Sequence, residues 1–177
     1  MNDHHFTYGY YIQAAAAIAQ LDDPASQWTS NYSGMVKLIA KDAANWDWYQ
    51  GDKRFPFLRT FDPYTGQFWA SGHCNFAAGC NQESSSEAMN LAQAMIQFGS
   101  AVGDSRMQST GVFLYTHQAQ TILLYVMDVE NATVPSDYKN GTGQFAGIPH
   151  PHPGILWQDG AAYAAFFAGI SGTPPAA

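Results

Sequence analysis

Two stretches of this chain, residues 8–18 and 88–102, carry no charged side chain and repeat their apolar residues at helical intervals. Nothing else limits the fold so tightly. Both are broken by Gln, Asn or Ser, so they predict helices buried against a protein core, not membrane spans. Over 8–21 the residues Tyr8, Tyr11, Ile12, Ala15, Ile18 and Ala19 mark an inward stripe, which Asp22, Asp23 and Pro24 end. A second helix is predicted over 34–44, with Met35, Leu38 and Ile39 inward and Ser33 as its cap. A third runs from 84 to 102 on a stripe of Met89, Ala92, Met95, Ile96 and Gly99. Gly103 and Asp104 then read as a stop and as the cap of a fourth helix over 105–129, carrying Met107, Val112, Leu114, Thr121, Leu124 and Val126. The short connection makes these two helices antiparallel neighbours. A last helix is predicted from near Asp159, and 171–177 reads as a frayed tail. The aromatic-rich segment 45–82 and the Pro/Gly/Asn segment 131–153 are long loops, of the kind that usually carries function. The expected fold class is mainly α.

Charge narrows the range of partners. At 177 residues the chain suits one domain, and only 12% of its residues are charged against 46% hydrophobic. Seven basic and fourteen acidic residues give a net charge of -7, which repels a phosphate backbone and an anionic membrane surface. No nucleic-acid or membrane partner is expected, and polarity borne by neutral side chains suits a neutral polar ligand. Cys74 and Cys80, six apart, can close a small disulfide loop, and the sequons at Asn31, Asn131 and Asn140 point to an extracellular origin as well. The first residues lack the basic start and apolar centre of a secretion leader.

Three places carry candidate chemistry. Asp3, His4 and His5 sit at the start of the first helix, where Asp3 reads either as an N-cap or as an acid whose ionisation is disfavoured. In NQESSSEAMN (81–90), Glu83 and Glu87 stand four apart, an unfavourable like-charge spacing on a helix with no Lys or Arg nearby. Either the helix dipole compensates that repulsion or one glutamate is a general base holding water. The rings of 45–82, among them Trp46, Trp48, Phe61, Tyr64 and Trp69, mix with Asp62 and Gln67. Most read as core, yet such a mixture also suits a sugar cleft. The pairs His4/His5 and His150/His152 lack the helical spacing of a zinc site, no Gly-x-Ser-x-Gly elbow is present, and no phosphate loop occurs.

The segments NDHHFTYGYYIQAAA (2–16), RFPFLRTFDPYTGQFWASG (54–72), NQESSSEAMN (81–90) and GILWQDGAAYAAFF (154–167) resemble, in order, successive motifs of family 81 of the glycoside hydrolases. The resemblance implies an (α/α)-toroid type helical domain, of which residues 1–177 look like a single partial barrel. It also implies an inverting endo-β-1,3-glucanase acting on laminarin, curdlan or fungal-wall glucan, with no metal and no cofactor. Carried onto this sequence, it places the general acid on Asp3 and the essential glutamates on Glu83, as base, and Glu87. His4, His5, Tyr8, Asp62, Trp69 and Asp159 are the implied glucan contacts. Members of the family add a β-sandwich domain before these motifs and helices after them. A partial barrel is therefore expected to expose apolar helix faces and self-associate. The alternative expectation is a glucan-binding segment without turnover.

Overall fold

The computed structural model describes residues 3–23, 25–48, 51–72, 74, 77, 79–143, 146, 147, 149, 152–157 and 160–162. The chain is mainly helical. Four long helices, α1 (His4–Gln20), α2 (Trp28–Ala44), α3 (Ser85–Ala101) and α4 (Ser105–Thr121), are followed by a short α5 (Ser136–Asn140). α1 packs between α2 and α3, and α3 between α1 and α4.

Both charge-free stretches lie within long helices. α1 buries Phe6, Gly9, Ile12, Ala15 and Ala16. α3 buries a denser set that includes Leu91, Ala92, Met95 and Phe98. Small residues let the axes approach: a Cβ on Gly9 would lie 3.0 Å from the backbone nitrogen of Leu91, and one on Gly111 would lie 2.8 Å from that of Ile96. Tyr11 and Ile18, placed inward by periodicity, are 61% and 45% exposed, because Gly9 and Ala16 turn a different stripe toward α3.

α2 departs from expectation at its start and on its inward face. It begins at Trp28, not near residue 34, and Ser33 lies inside it. The Asp22 carboxylate accepts the Thr29 N–H at 2.8 Å and so satisfies a first-turn donor from seven residues upstream. Its buried stripe is Val36, Ala40, Ala43 and Ala44, while Met35 and Leu38 face outward. Gly103 (φ 69) ends the α3–α4 connection, and the Asp104 side chain caps α4 through the Met107 N–H, as the sequence predicts. α4 stops at Thr121, short of 129, and continues as a π-helical turn, Ile122–Val126. The buried Asp128 terminates it by accepting the N–H groups of Ala132, Thr133 and Val134.

The aromatic segment is more regular than a loop. β1 (Phe61–Asp62) and β2 (Gln67–Phe68) form an antiparallel hairpin that places Phe61 and Phe68 in the core. β3 (Asn81–Gln82), β4 (Ile155–Trp157) and β5 (Gly160–Ala162) make a three-stranded sheet, with Asn81 opposite Trp157 and Gln82 opposite Leu156. Residues 160–162 are therefore strand, where a helix start was expected; pairing through β4 to β3 overrides the local alanine preference. Asp159 and the 171–177 tail lie outside the described residues. Cys74 and Cys80 are joined as a disulfide, with their Cα atoms 4.7 Å apart.

Candidate active site

A short ladder of backbone hydrogen bonds builds the site. The Asp3 N–H donates to the Ala70 carbonyl at 2.8 Å, and the Ala70 N–H donates to the Asn81 carbonyl at 2.7 Å. The start of α1 and the segment leading into α3 are thereby both tied to Ala70, two residues beyond β2. Asp3 adopts left-handed backbone (φ 62) at the N-cap position, yet its side chain makes no cap bond; its carbonyl accepts the Thr7 N–H instead. Of its two readings, the side-chain cap is the one the geometry does not support.

Glu83 and Glu87 do not share a helix face. α3 begins at Ser85, so Glu83 precedes the N-cap Ser84 and Glu87 sits in the first turn. The pattern Ser84-x-x-Glu87 suits a capping box, but the Ser84 side chain makes no cap bond. Glu87 Oε1 instead accepts the Tyr10 hydroxyl of α1 at 2.9 Å, and Glu83 Oε2 accepts the Asn81 amide at 3.3 Å.

All three carboxylates line one cleft of about 390 Å³, together with Phe6, Thr7, Tyr10 and Tyr11. Burial, and then the charge of Glu87, raises the pKa of Asp3 above its ordinary value. Burial, Asp3 and Glu87 raise that of Glu83. All seven lysines and arginines lie among the described residues, and six of them (Lys37, Lys41, Arg54, Arg59, Arg106 and Lys139) pair with aspartates elsewhere, none with Asp3, Glu83 or Glu87. A cleft in which Glu87 raises the pKa of Asp3, and Asp3 and Glu87 raise that of Glu83, can hold a proton on one group while another stays ionised.

The other predicted residues are spread around this centre. His4 donates through Nδ1 to Asp42 at 2.6 Å and lies 4.6 Å, ring to ring, from Tyr8. Burial pulls its pKa below the ordinary value, and the charge of Arg59 adds to that effect. His5 is fully buried and stacks on Phe68, beneath the cleft and not in its wall. Asp62 and Trp69 meet in a second cavity of about 610 Å³ with Tyr64, Gln67, Thr121 and Tyr125. There the Trp69 indole donates to Asp62 at 3.4 Å. Burial alone would raise the Asp62 pKa, but the Tyr64 N–H, the Trp69 indole and Thr65 bring it below its ordinary value. Trp69 adjoins Ala70, so the backbone ladder connects the walls of the two cavities. Asp159 lies outside the described residues. Sequence reasoning missed Thr7, Tyr10 and Tyr11 as cleft residues; their spacing from Asp3, at i+4, i+7 and i+8, was the available signal.

Comparison with known proteins agrees with the four motifs. The sequence model of the glycosyl hydrolase family 81 C-terminal domain matches residues 1–173. A glucan endo-1,3-beta-D-glucosidase of Acetivibrio thermocellus is 53% identical over 131 residues, 73% of this chain and 16% of that protein. The protein of the same name from Thermobifida fusca is 43% identical over 162 residues, 90% of this chain and 19% of that protein. A mutant of a glycoside hydrolase family 81 protein from Clostridium thermocellum superposes with a TM-score of 0.76 at 44% identity, covering 88% of this chain and 20% of that one. The chain thus spans about a fifth or less of the length of these relatives.

Proposed function

The chain belongs to glycoside hydrolase family 81, and from that membership and the carboxylate cleft we propose that it contributes the catalytic centre of an inverting endo-β-1,3-glucanase. The observation that carries this reading is that Asp3, brought by the start of α1, and Glu83 and Glu87, brought by the entry to α3, line one cleft.

In an inverting glycosidase, an acid protonates the leaving oxygen while a base on the opposite face of the sugar activates water. The two carboxyl groups stand roughly 6.5–9.5 Å apart to admit that water. Asp3 is the acid: burial and the charge of Glu87 favour its protonated form. Glu83 is the base. Once Asp3 holds a proton, its share of the repulsion on Glu83 disappears, so the pair reaches its working state with one proton between them. Glu87, held by Tyr10, lies in the same cleft and supports the proton on Asp3. The exposed rings of Tyr10 and Tyr11 offer faces on which the CH surfaces of a glucan can stack.

The substrate is a neutral β-1,3-glucan such as laminarin, curdlan or fungal-wall glucan. Asp62 and Trp69 extend the glucan track into the second cavity, with His4 and Tyr8 bordering the first. The disulfide suits an extracellular setting. Among the described residues no helix is long and apolar enough to cross a membrane. The helical layers form part of an (α/α) toroid, and exposed apolar residues such as Leu21 and Met35 favour self-association or burial against further protein.

Laminarin digestion tests the reading. Hydrolysis should yield oligosaccharides whose new reducing ends are α by NMR; β products would remove the inverting mechanism. A second reading rests on Tyr10 and Tyr11, which can hold a glucan without chemistry. Retardation of the chain in a laminarin gel with no release of reducing sugar would favour it.

A further inference from the structure

Directly behind the carboxylates lies a buried polar pair that the chemistry above does not use. His5 stands two residues after Asp3, and Gln82 one residue before Glu83. They are 0% and 3% exposed. Neither ring nitrogen of His5 and neither amide atom of Gln82 makes a well-formed hydrogen bond, although the Gln82 side chain approaches the imidazole closely enough to act on it; the hydroxyl of Ser71, next to Ala70 on the backbone ladder, is likewise unsatisfied. Leaving one such group unsatisfied costs about 1–3 kcal/mol. A core built for stability alone would place apolar side chains at these positions.

Packing has already set the plane of the imidazole: it stacks on Phe68 at 5.1 Å and 9°, and leans on Phe6 at 3.9 Å. Only its nitrogens are left to be satisfied. The Gln82 side chain acts on that ring, opposing the effect of burial on its protonation.

We propose that His5 and Gln82, closed by internal water, form a buried polar bracket that sets the separation of Asp3 from Glu83. Both are then positioning residues for the hydrolysis proposed above, on which this inference rests. The physical case is directional. Apolar contact between α1 and the β3–α3 segment tolerates sliding, whereas hydrogen bonds through an imidazole edge fix distance and angle. Inversion requires a gap that fits one water, so a small slip costs rate and not fold. The backbone ladder through Ala70 holds the main chains together; the bracket holds the buried side of each segment, behind the cleft its carboxylate lines.

The test compares His5→Phe, Gln82→Met and the double variant with the unaltered chain. The readouts are kcat and KM on laminarin, melting temperature, and NMR titration of the Asp3 and Glu83 carboxyl carbons. Removing both polar partners together should leave the double variant as stable as the starting protein or more so. Its kcat should fall on the order of 100-fold with KM changed less than about threefold. The double variant should be no slower than the worse single one, and both carboxyl titrations should move. His5→Gln, which keeps a polar edge, should recover part of the rate. A folded double variant with unchanged kcat and unchanged titrations overturns the bracket, as does a strictly additive loss. If the unaltered chain does not hydrolyse laminarin, the functional reading fails, and the carboxyl titrations alone then decide the bracket.

Discussion

The cleft at the start of α1 and the charged cluster at the end of α2 treat carboxylates in opposite ways. At the end of α2, Lys41 bridges Asp47 and Asp52, Arg54 pairs with Asp52 at 2.8 Å, and Arg106 reaches Asp47 at 2.9 Å. Asn45 ties the same loop by donating to the carbonyl of Phe55 at 2.8 Å. Arg54, and then Lys41, hold the Asp52 carboxyl far below its usual range. In the cleft, Asp3 and Glu83 are pushed up, and no lysine or arginine pairs with either. A protein with half as many basic as acidic residues has placed its cations where they fold a loop. It has left the carboxylates of the cleft without a lysine or arginine partner. Perturbed carboxylates of the first kind indicate structure, and those of the second kind indicate function.

The sharpest way to break this contrast is to neutralise the cleft. Asp3→Asn and Glu83→Gln should each lower laminarin turnover on the order of 1,000-fold while the chain stays folded. Retained turnover in either would place the cleft with the structural carboxylates.

The opposite result is expected at the cluster. Lys41→Met removes the cation that Asp47 and Asp52 share, leaving them only Arg106 and Arg54, and should cost about 2 kcal/mol of stability. Denaturant unfolding measures that loss, and turnover per folded molecule should stay within about twofold if the cluster only supports the fold.

Gly9→Ala probes the seam linking fold to cleft. Its Cβ would press on the Leu91 backbone at 3.0 Å, so α1 must shift against α3 at a cost of about 1–2 kcal/mol. Because α1 carries Asp3, turnover should fall as well. A stable variant with full activity would show that the helices are not in register with the chemistry.

The smallest effect is a dependence on pH. Asp3 and Glu83 have pKa values raised in the folded state, so at these two groups the folded state binds more protons than the unfolded one. Their contribution is fully present below the unfolded pKa and is lost as pH rises through the folded one. Asp52 and Asp128 run the other way: their pKa values are lowered, and their contribution is lost as pH falls. Asp3→Asn should therefore melt slightly higher than the parent at neutral pH, with the gap closing below pH 3.8, the ordinary aspartate value. A lower melting point at neutral pH would mean that Asp3 is a structural carboxylate after all.

Much of this was legible in the chain. The charge-free stretches announced α1 and α3, Gly103 and Asp104 marked the turn between α3 and α4, and four ordered motifs identified the family. The misplaced parts share a cause. The inward face of α2 was read from its large residues, whereas the structure buries its alanines, because close helix approach rewards small side chains that hydropathy ranks low. Glu83 and Glu87 were read as neighbours on a helix, but β3 pairs with β4 and delays the start of α3 to Ser85. Residues 160–162 became a strand through the same pairing.

The order of residues alone determined that the chain is helical, poor in charge, and equipped with an aspartate before one helix and two glutamates around the start of another. Periodicity and composition are local, and each helix can be read in its own window. Tertiary structure decided what those carboxylates face. The ladder from Asp3 through Ala70 to Asn81 joins residues almost eighty positions apart, and neither end carries a mark of the other. Whether a carboxylate is neutralised, buried beside its own kind or open to water depends on distances through space, and only the folded chain sets those.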